Sequence, residues 1–225
     1  MSNNFNLDSY GVMISRIKEL GYKIVFFEEI DFKSKHLILR HDIDMSLKSA
    51  LNMAVYEASQ EIYSTYFLLL RSDMYNIFSS ESTDIVKKII SLGHKIGLHF
   101  DHSIYTYKEH GFLDQYCEDE CSALESWFNI NINIISFHKP SKNLLSIDRK
   151  IAGRINTYQS NYFKKILYSS DSRGNWFYGD PLENLQRSNN LPIQLLTHPI
   201  WWDTKLNKDS SKRLDQFALN YIKSF

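Results

Sequence analysis

From residue 36 onward, short apolar runs alternate with amphipathic stretches at roughly thirty residues per unit. Strand-like runs fall at 36–43, 64–70, 95–100, 132–138, 165–170 and 193–198. Helical spacing falls at 46–60, 82–92, 112–129, 146–162 and 180–188, although 182–192 is polar enough to read mostly as loop. Ahead of them, Tyr10, Val12, Met13, Ile17 and Leu20 mark an amphipathic helix over 8–20 that stops at Gly21, and Tyr22 to Phe27 reads as a short strand. Such alternation predicts parallel strands joined by helical crossovers. An open doubly wound sheet and a closed barrel both fit the count, and the polar residues favour the barrel. The strand candidates end in Asp42 and Asp44, Arg71, His99 and Asp101, His138, Asp171, and His198. In a barrel the C-terminal strand ends face one shared site. The expected fold is therefore α/β: a distorted (β/α) barrel of about seven parallel strands, with residues 1–225 as a single domain.

Strand parity sharpens this expectation. Ile96, Leu98 and Phe100 share the face that packs on helices, while Gly97, His99 and Asp101 face the barrel axis. Likewise Ile135 and Phe137 point outward, and Ser136 and His138 inward.

Charge excludes some partners. The 26 Lys and Arg balance the 26 Asp and Glu, so no global basic field favours nucleic acid. Cys117 and Cys121, four apart on an expected helix, read as free thiols on one face, which fits a reducing compartment. The N-terminal turns carry Asp8, Arg16, Lys18 and Glu19 and no signal-like apolar core, and no apolar run spans a bilayer, so a cytoplasmic protein without a transmembrane segment is expected.

The run Leu37-Ile38-Leu39-Arg40-His41-Asp42-Ile43-Asp44 places two carboxylates on one strand face. They repel, and burying either one unpaired is costly. A cation removes both objections, which points to a metal ligand beside a general base. A solvated acidic turn, a carboxylate cap on the helix near Ser46, or neutralisation by Arg40 and His41 also accounts for the pair. Gly93 to His102 holds His94, His99, Asp101 and His102 in ten residues. His99 has the inward parity, whereas His94 sits at the strand start with the opposite parity and reads as structural. Three further segments stand out: Ser136-Phe137-His138-Lys139-Pro140-Ser141, Tyr168 through Trp176, and Leu196-Thr197-His198-Pro199 followed by Trp201-Trp202.

In this order the five segments resemble the motifs of the polysaccharide deacetylase superfamily (carbohydrate esterase family 4, the NodB-like fold). The resemblance runs from residue 36 to 202, and its wording is most similar to deacetylase-like proteins of O-antigen and surface-polysaccharide biosynthesis. It implies Asp42 as general base, Asp44 as metal ligand, metal histidines from the second motif and His198 as catalytic acid. Two departures are visible. The family spaces its metal histidines four apart, whereas His99 and His102 are three apart and His94 and His99 five. His138 stands where the family has Arg. The third ligand is thus His138, whose strand-end position is well determined, or alternatively His102, leaving His138 to orient Asp42.

The activity so implied is metal-dependent hydrolysis, with zinc as the expected divalent ion, of an N-acyl group, foremost N-acetyl, from an amino sugar. Asp171 would hydrogen-bond His198. Arg40, Arg71 and Arg173 would contact substrate, Arg173 facing the phosphate of a nucleotide-linked or lipid-linked sugar. Trp176, Trp201 and Trp202 offer stacking surfaces, with at least one of the last two in the core. Two other classes fit the altered motifs: a non-catalytic carbohydrate-binding or assembly protein on the same barrel, and an amidase or deformylase acting on another amide.

Overall fold

The structure, a computed structural model, describes residues 5–105, 112–187, 190–202 and 210–223. In chain order it holds α1 (Leu7–Glu19), β1 (Lys23–Ile24), β2 (His36–Ile43), α2 (Leu47–Ser59), β3 (Thr65–Leu68), α3 (Ser80–Ser91), β4 (Lys95–Phe100) and α4 (Leu113–Phe128). There follow β5 (Ile134–Phe137), α5 (Lys142–Leu145), β6 (Ile155–Asn156), α6 (Ser160–Phe163), β7 (Leu167–Ser170), α7 (Pro181–Arg187), β8 (Ile193–Thr197) and α8 (Ser210–Ile222). All strand pairings are parallel, in the order β6-β5-β4-β3-β2-β8-β7, with β1 beside the start of β2. The seven-strand path curls into a half-barrel. Among the described residues no ladder joins β6 to β7. The gap is bridged by the segment after β6: the Gln194 amide donates to the carbonyls of Thr157 (3.2 Å) and Tyr162 (2.7 Å), and the Phe163 ring meets Tyr168 at 4.8 Å.

Strands β2 and β4 have the expected bounds, and β3, β5, β7 and β8 lie inside theirs. The helix expected over 146–162 is corrected. A left-handed pair, Ala152 (φ 48°) and Gly153 (φ 74°), turns the chain between the bridged residues Ile151 and Arg154. Beyond it lie only β6 and the one-turn α6, whose start is pinned where Asp148 accepts from the Ser160 N–H and hydroxyl. Likewise the expected strand over Tyr22 to Phe27 shrinks to β1, while the helix expected over 180–188 is present as α7, so the start of the polar 182–192 stretch is helix and not loop.

Alternation along the strands separates two environments. Ile96, Leu98, Phe100, Ile135 and Phe137 face outward and pack with Val86 and Ile89 of α3 and Cys117, Cys121 and Leu124 of α4, as parity predicted. Both cysteines are free and buried. On the inner face, Ile38, Phe67 and Ile134 join Val25 and Phe27 in an apolar plug. Gly97 makes room for it: a Cβ there would lie 2.5 Å from the Phe67 ring. Above the plug the interior turns polar, through Arg40 and Gln194 to the acids and imidazoles at the strand ends.

A second polar centre lies outside the barrel, beneath α2. Glu57 of α2 is fully buried and accepts from the hydroxyls of Tyr10 (2.5 Å), Ser64 (2.6 Å) and Tyr66 (2.8 Å) and lies 3.0 Å from His41 Nε2. His94 belongs to this centre. Its Nε2 lies 3.0 Å from the Ala54 carbonyl and its Nδ1 accepts from the Ser64 N–H at 3.3 Å, a structural placement as the sequence suggested.

Candidate metal and acid–base site

At the mouth of the half-barrel β2, β4 and β5 deliver one ligand-type side chain each. Asp44 follows the last residue of β2. It does not cap α2, because Ser46 does so by accepting from the Ser49 N–H. His99 is the penultimate residue of β4, and its Nδ1 lies 2.6 Å from the Ser136 hydroxyl on β5, which fixes the ring and leaves Nε2 to face the axis. His138 follows β5 and extends the ladder by donating its N–H to the Phe100 carbonyl at 2.9 Å. Asp44 Oδ1 lies 3.2 Å from His99 Nε2 and 3.4 Å from His138 Nδ1, and the two ring nitrogens are 3.3 Å apart.

Three ligand atoms therefore fall within 4.8 Å of one another. Asp44 Oδ1 is buried and makes no well-aligned hydrogen bond. Burial pushes the Asp44 carboxyl up, yet His138 and His99 hold it well below the usual carboxylate range. An orphaned carboxylate oxygen beside two converging imidazole nitrogens, with a further position open to the groove, fits a divalent transition metal with N and O ligands. His102 stands on the turn after Asp101 and does not join the set.

Asp42 lies one pleat below. Arg40 was expected to contact substrate, and this is corrected: the guanidinium is fully buried and every edge is engaged. Its Nε and Nη2 donate to the two Asp42 oxygens at 2.9 and 2.8 Å, and the rest goes to Thr157, Tyr158 and Gln194. Burial raises the Asp42 carboxyl, and Arg40, foremost among the opposing groups, brings it below its ordinary value. Breaking a buried ion pair strands a charge, so Arg40→Met is expected to lower stability by about 3–5 kcal/mol in denaturant titrations.

Facing Asp44 across the groove, 3.9 Å away, is His198 Nε2. Its Nδ1 lies 2.6 Å from Asp171 Oδ1, and its backbone N–H is shared between both Asp171 oxygens at 3.0 Å. Asp171 is fully buried, and its second oxygen accepts from the Trp202 indole at 2.6 Å. Burial depresses the His198 imidazole, but Asp171 foremost, with Asp44 and Asp42, outweighs it and raises the pKa to about 9. Trp202 is thus an anchor for Asp171, not a stacking surface. The sequence offered no signal for this beyond the indole's need for a buried partner.

Two cavities meet at the site. One, of about 500 Å³, is lined by Asp42, His99 and His198 and walled by Tyr158, Phe163, Tyr168 and Tyr178. The other, of about 820 Å³, extends past Arg71, Met74 and Asp101. They share Asp44, His138, Lys139 and Arg173. Arg173 is exposed on a left-handed residue (φ 57°) and reaches both. Arg71 donates to the Tyr105 hydroxyl at 2.7 Å on the wall of the larger one. Trp201 lines the larger cavity but is 7% exposed, so most of its ring is packed in the core. Trp176 is corrected: it turns away from the groove to pack on Phe5 and Trp202. The tyrosine wall was not anticipated: Tyr158 lies in the segment read as helix and Tyr178 in one given no element, while Tyr168, in the expected strand over 165–170, was not assigned to the site.

No protein-family model and no curated protein matches this sequence. Solved structures with low identity are similar to it in part. A Streptococcus pyogenes deacetylase, PplD, determined with acetate, is 13% identical, with 95% of this chain and 87% of that one covered at a TM-score of 0.48. A family 4 carbohydrate esterase from Bacillus anthracis is 13% identical, covering 96% and 86% at 0.47. A family 4 pseudoenzyme from Bacillus anthracis is 12% identical at 0.45, with 86% of this chain covered. This chain spans 63% of the length of that pseudoenzyme.

Proposed function

We propose that this protein is a metal-dependent deacylase that removes an N-acyl group, foremost N-acetyl, from an amino sugar. The observation that carries the reading is the convergence of Asp44, His99 and His138 beside two separate acid–base groups, Asp42 and the Asp171–His198 pair. Hydrolysis of an amide needs both a proton acceptor for water and a proton donor for the amine, because an amide nitrogen leaves poorly as an anion. Asp44, His99 and His138 are the residues that would hold a divalent cation, zinc first, whose Lewis acidity polarises the acyl carbonyl and acidifies water.

The protein groups divide the remaining work. Asp42, kept ionised and oriented by the Arg40 fork, takes the water proton; each of its oxygens keeps a second lone pair for this. Water oxygen bonds to the acyl carbon, the carbon–nitrogen bond breaks, and His198 gives its proton to the departing nitrogen. The products are a carboxylic acid and an amine. The tyrosine-walled cavity suits the sugar and acyl group, while Arg173 and Arg71 suit the phosphate of a nucleotide-linked or lipid-linked precursor. We assign this activity to cytoplasmic assembly of a surface polysaccharide such as O-antigen. No helix among the described residues is long and apolar enough to cross a membrane.

The test is direct. Purified protein supplied with zinc, cobalt or manganese is expected to release free acid from nucleotide-linked N-acyl amino sugars. Failure across a panel of sugars and acyl groups, with metal bound at full occupancy, refutes the reading.

A further inference from the structure

The buried centre beneath α2 touches neither cavity, yet it ends beside both halves of the site. His41 Nε2 lies 3.0 Å from Glu57, and its Nδ1 lies 2.6 Å from the Thr197 hydroxyl. His41 and Thr197 are register partners on the last rung of the β2–β8 ladder. The next residue on one strand is Asp42, and on the other His198. From these contacts we propose that Glu57, acting through His41 and Thr197, is a positioning residue that sets the spacing between the Asp42–Asp44 strand end and His198.

Two arguments support this. The first is cost. A strand rung under a helix is held well by apolar contact, whereas a fully buried carboxylate is expensive unless every lone pair is engaged. This carboxylate sits among Tyr10, Tyr66 and His41, all fully buried, and gathers three hydroxyls and an imidazole. Hydrogen bonds fix length and angle where apolar packing fixes only contact, so the arrangement suits a geometric task. The second is chemistry. Thr197 can donate to a neutral His41 or accept from a protonated one, so the bond survives either state. The Glu57 carboxylate is an acceptor only, which orients His41 Nε2–H toward it and Nδ1 toward Thr197. A displacement of about 1 Å between reacting groups is enough to cost on the order of 10²-fold in rate.

The experiment uses Thr197→Val, which keeps the shape and removes the hydroxyl, in the 225-residue chain. Its kinetic arm rests on the deacylase reading, and its spectroscopic arm does not. We expect kcat to fall about ten- to a hundredfold with KM unchanged within about twofold. In the metal-free protein we expect the downfield proton resonance of the His198 Nδ1–H, which the 2.6 Å contact to Asp171 should produce, to shift or broaden. Thr197→Ser is expected to restore both. Tyr10→Phe removes the hydroxyl that shares Glu57 Oε1 with His41, so it should lower kcat and shift the resonance in the same direction as Thr197→Val. If Thr197→Val does not fold, Thr197→Ala makes the same measurement. An unmoved Nδ1–H resonance overturns the proposal whatever the activity, and so does a loss of kcat that Ser fails to restore. A wild-type chain without deacylase activity refutes the proposed function, while the resonance still decides this inference.

Discussion

Asp44→Ala is expected to abolish stoichiometric metal binding and to lower kcat/KM by on the order of 10³-fold, with a loss of stability in the metal-free protein at neutral pH. The catalytic part follows from charge: a Lewis acid at a developing oxyanion contributes several kcal/mol, and about 4 kcal/mol corresponds to roughly that factor. The stability part follows from the two imidazoles: His138 and His99 hold the Asp44 carboxyl well below the usual carboxylate range against the cost of burial, so the ionised group favours the folded state at neutral pH. His99→Ala and His138→Ala are expected to lose metal as Asp44→Ala does, whereas His102→Ala should keep it, since His102 lies outside the three converging residues. Elemental analysis of the purified variants, with thermal melts run in chelator, measures both. Metal retained by His138→Ala but lost from His102→Ala would put the third ligand on the turn instead of the strand end. Ser136→Ala is expected to weaken metal affinity about 10–100-fold, because the Ser136 hydroxyl orients the His99 ring at 2.6 Å.

How far the sequence reached depends on what local patterning encodes. The interior faces of β4 and β5 followed from alternation, since period two is a property of the chain itself. That placed His99, Ser136 and His138 on one side before any tertiary contact was known. Asp171 and His198 were paired from motif order, and their 2.6 Å contact has the same logic: both residues directly follow neighbouring strands, β7 and β8. Arg40 was misplaced because parity gives direction but not depth. It shares the inward face with Asp42 yet lies a full pleat lower, where Thr157 and Tyr158 close over it. Trp176 was misread for a related reason. An aromatic near a polar motif looks like a platform until its neighbours are known, and Phe5, 171 positions before Trp176 in the chain, is one of them. The 146–162 segment carries helix-like apolar spacing, but the left-handed Ala152–Gly153 pair is a backbone event that spacing does not register.

The second large effect concerns proton donation. Asp171→Asn is expected to lower kcat by about 10²–10⁴-fold at neutral pH and to move the basic limb of the pH–rate profile downward. In the wild type burial disfavours the charged imidazole, but the Asp171 carboxylate reverses this and holds His198 at about 9, so the acid form prevails at neutral pH and is lost as the pH climbs through that value. Asn keeps the shape and removes the charge. Burial then acts with less opposition, the imidazole pKa moves down toward or below its ordinary 6.5, and the donor is depleted at neutral pH. The same raised pKa gives a stability term of fixed sign. It is fully present below the unfolded-state value of about 6.5, declines as the pH rises through 9, and is absent from the Asn variant. A cation near Asp44 opposes the imidazolium, so the metal-loaded wild type should show its basic limb below the pKa measured by NMR titration of the metal-free protein. Trp202→Phe removes only the indole donor from Asp171 Oδ2, leaves the carboxylate charged, and is expected to cost far less than Asp171→Asn. Profiles of kcat against pH for the three proteins test the assignment: if Asp171→Asn keeps the wild-type basic limb, His198 is not the group that protonates the departing amine.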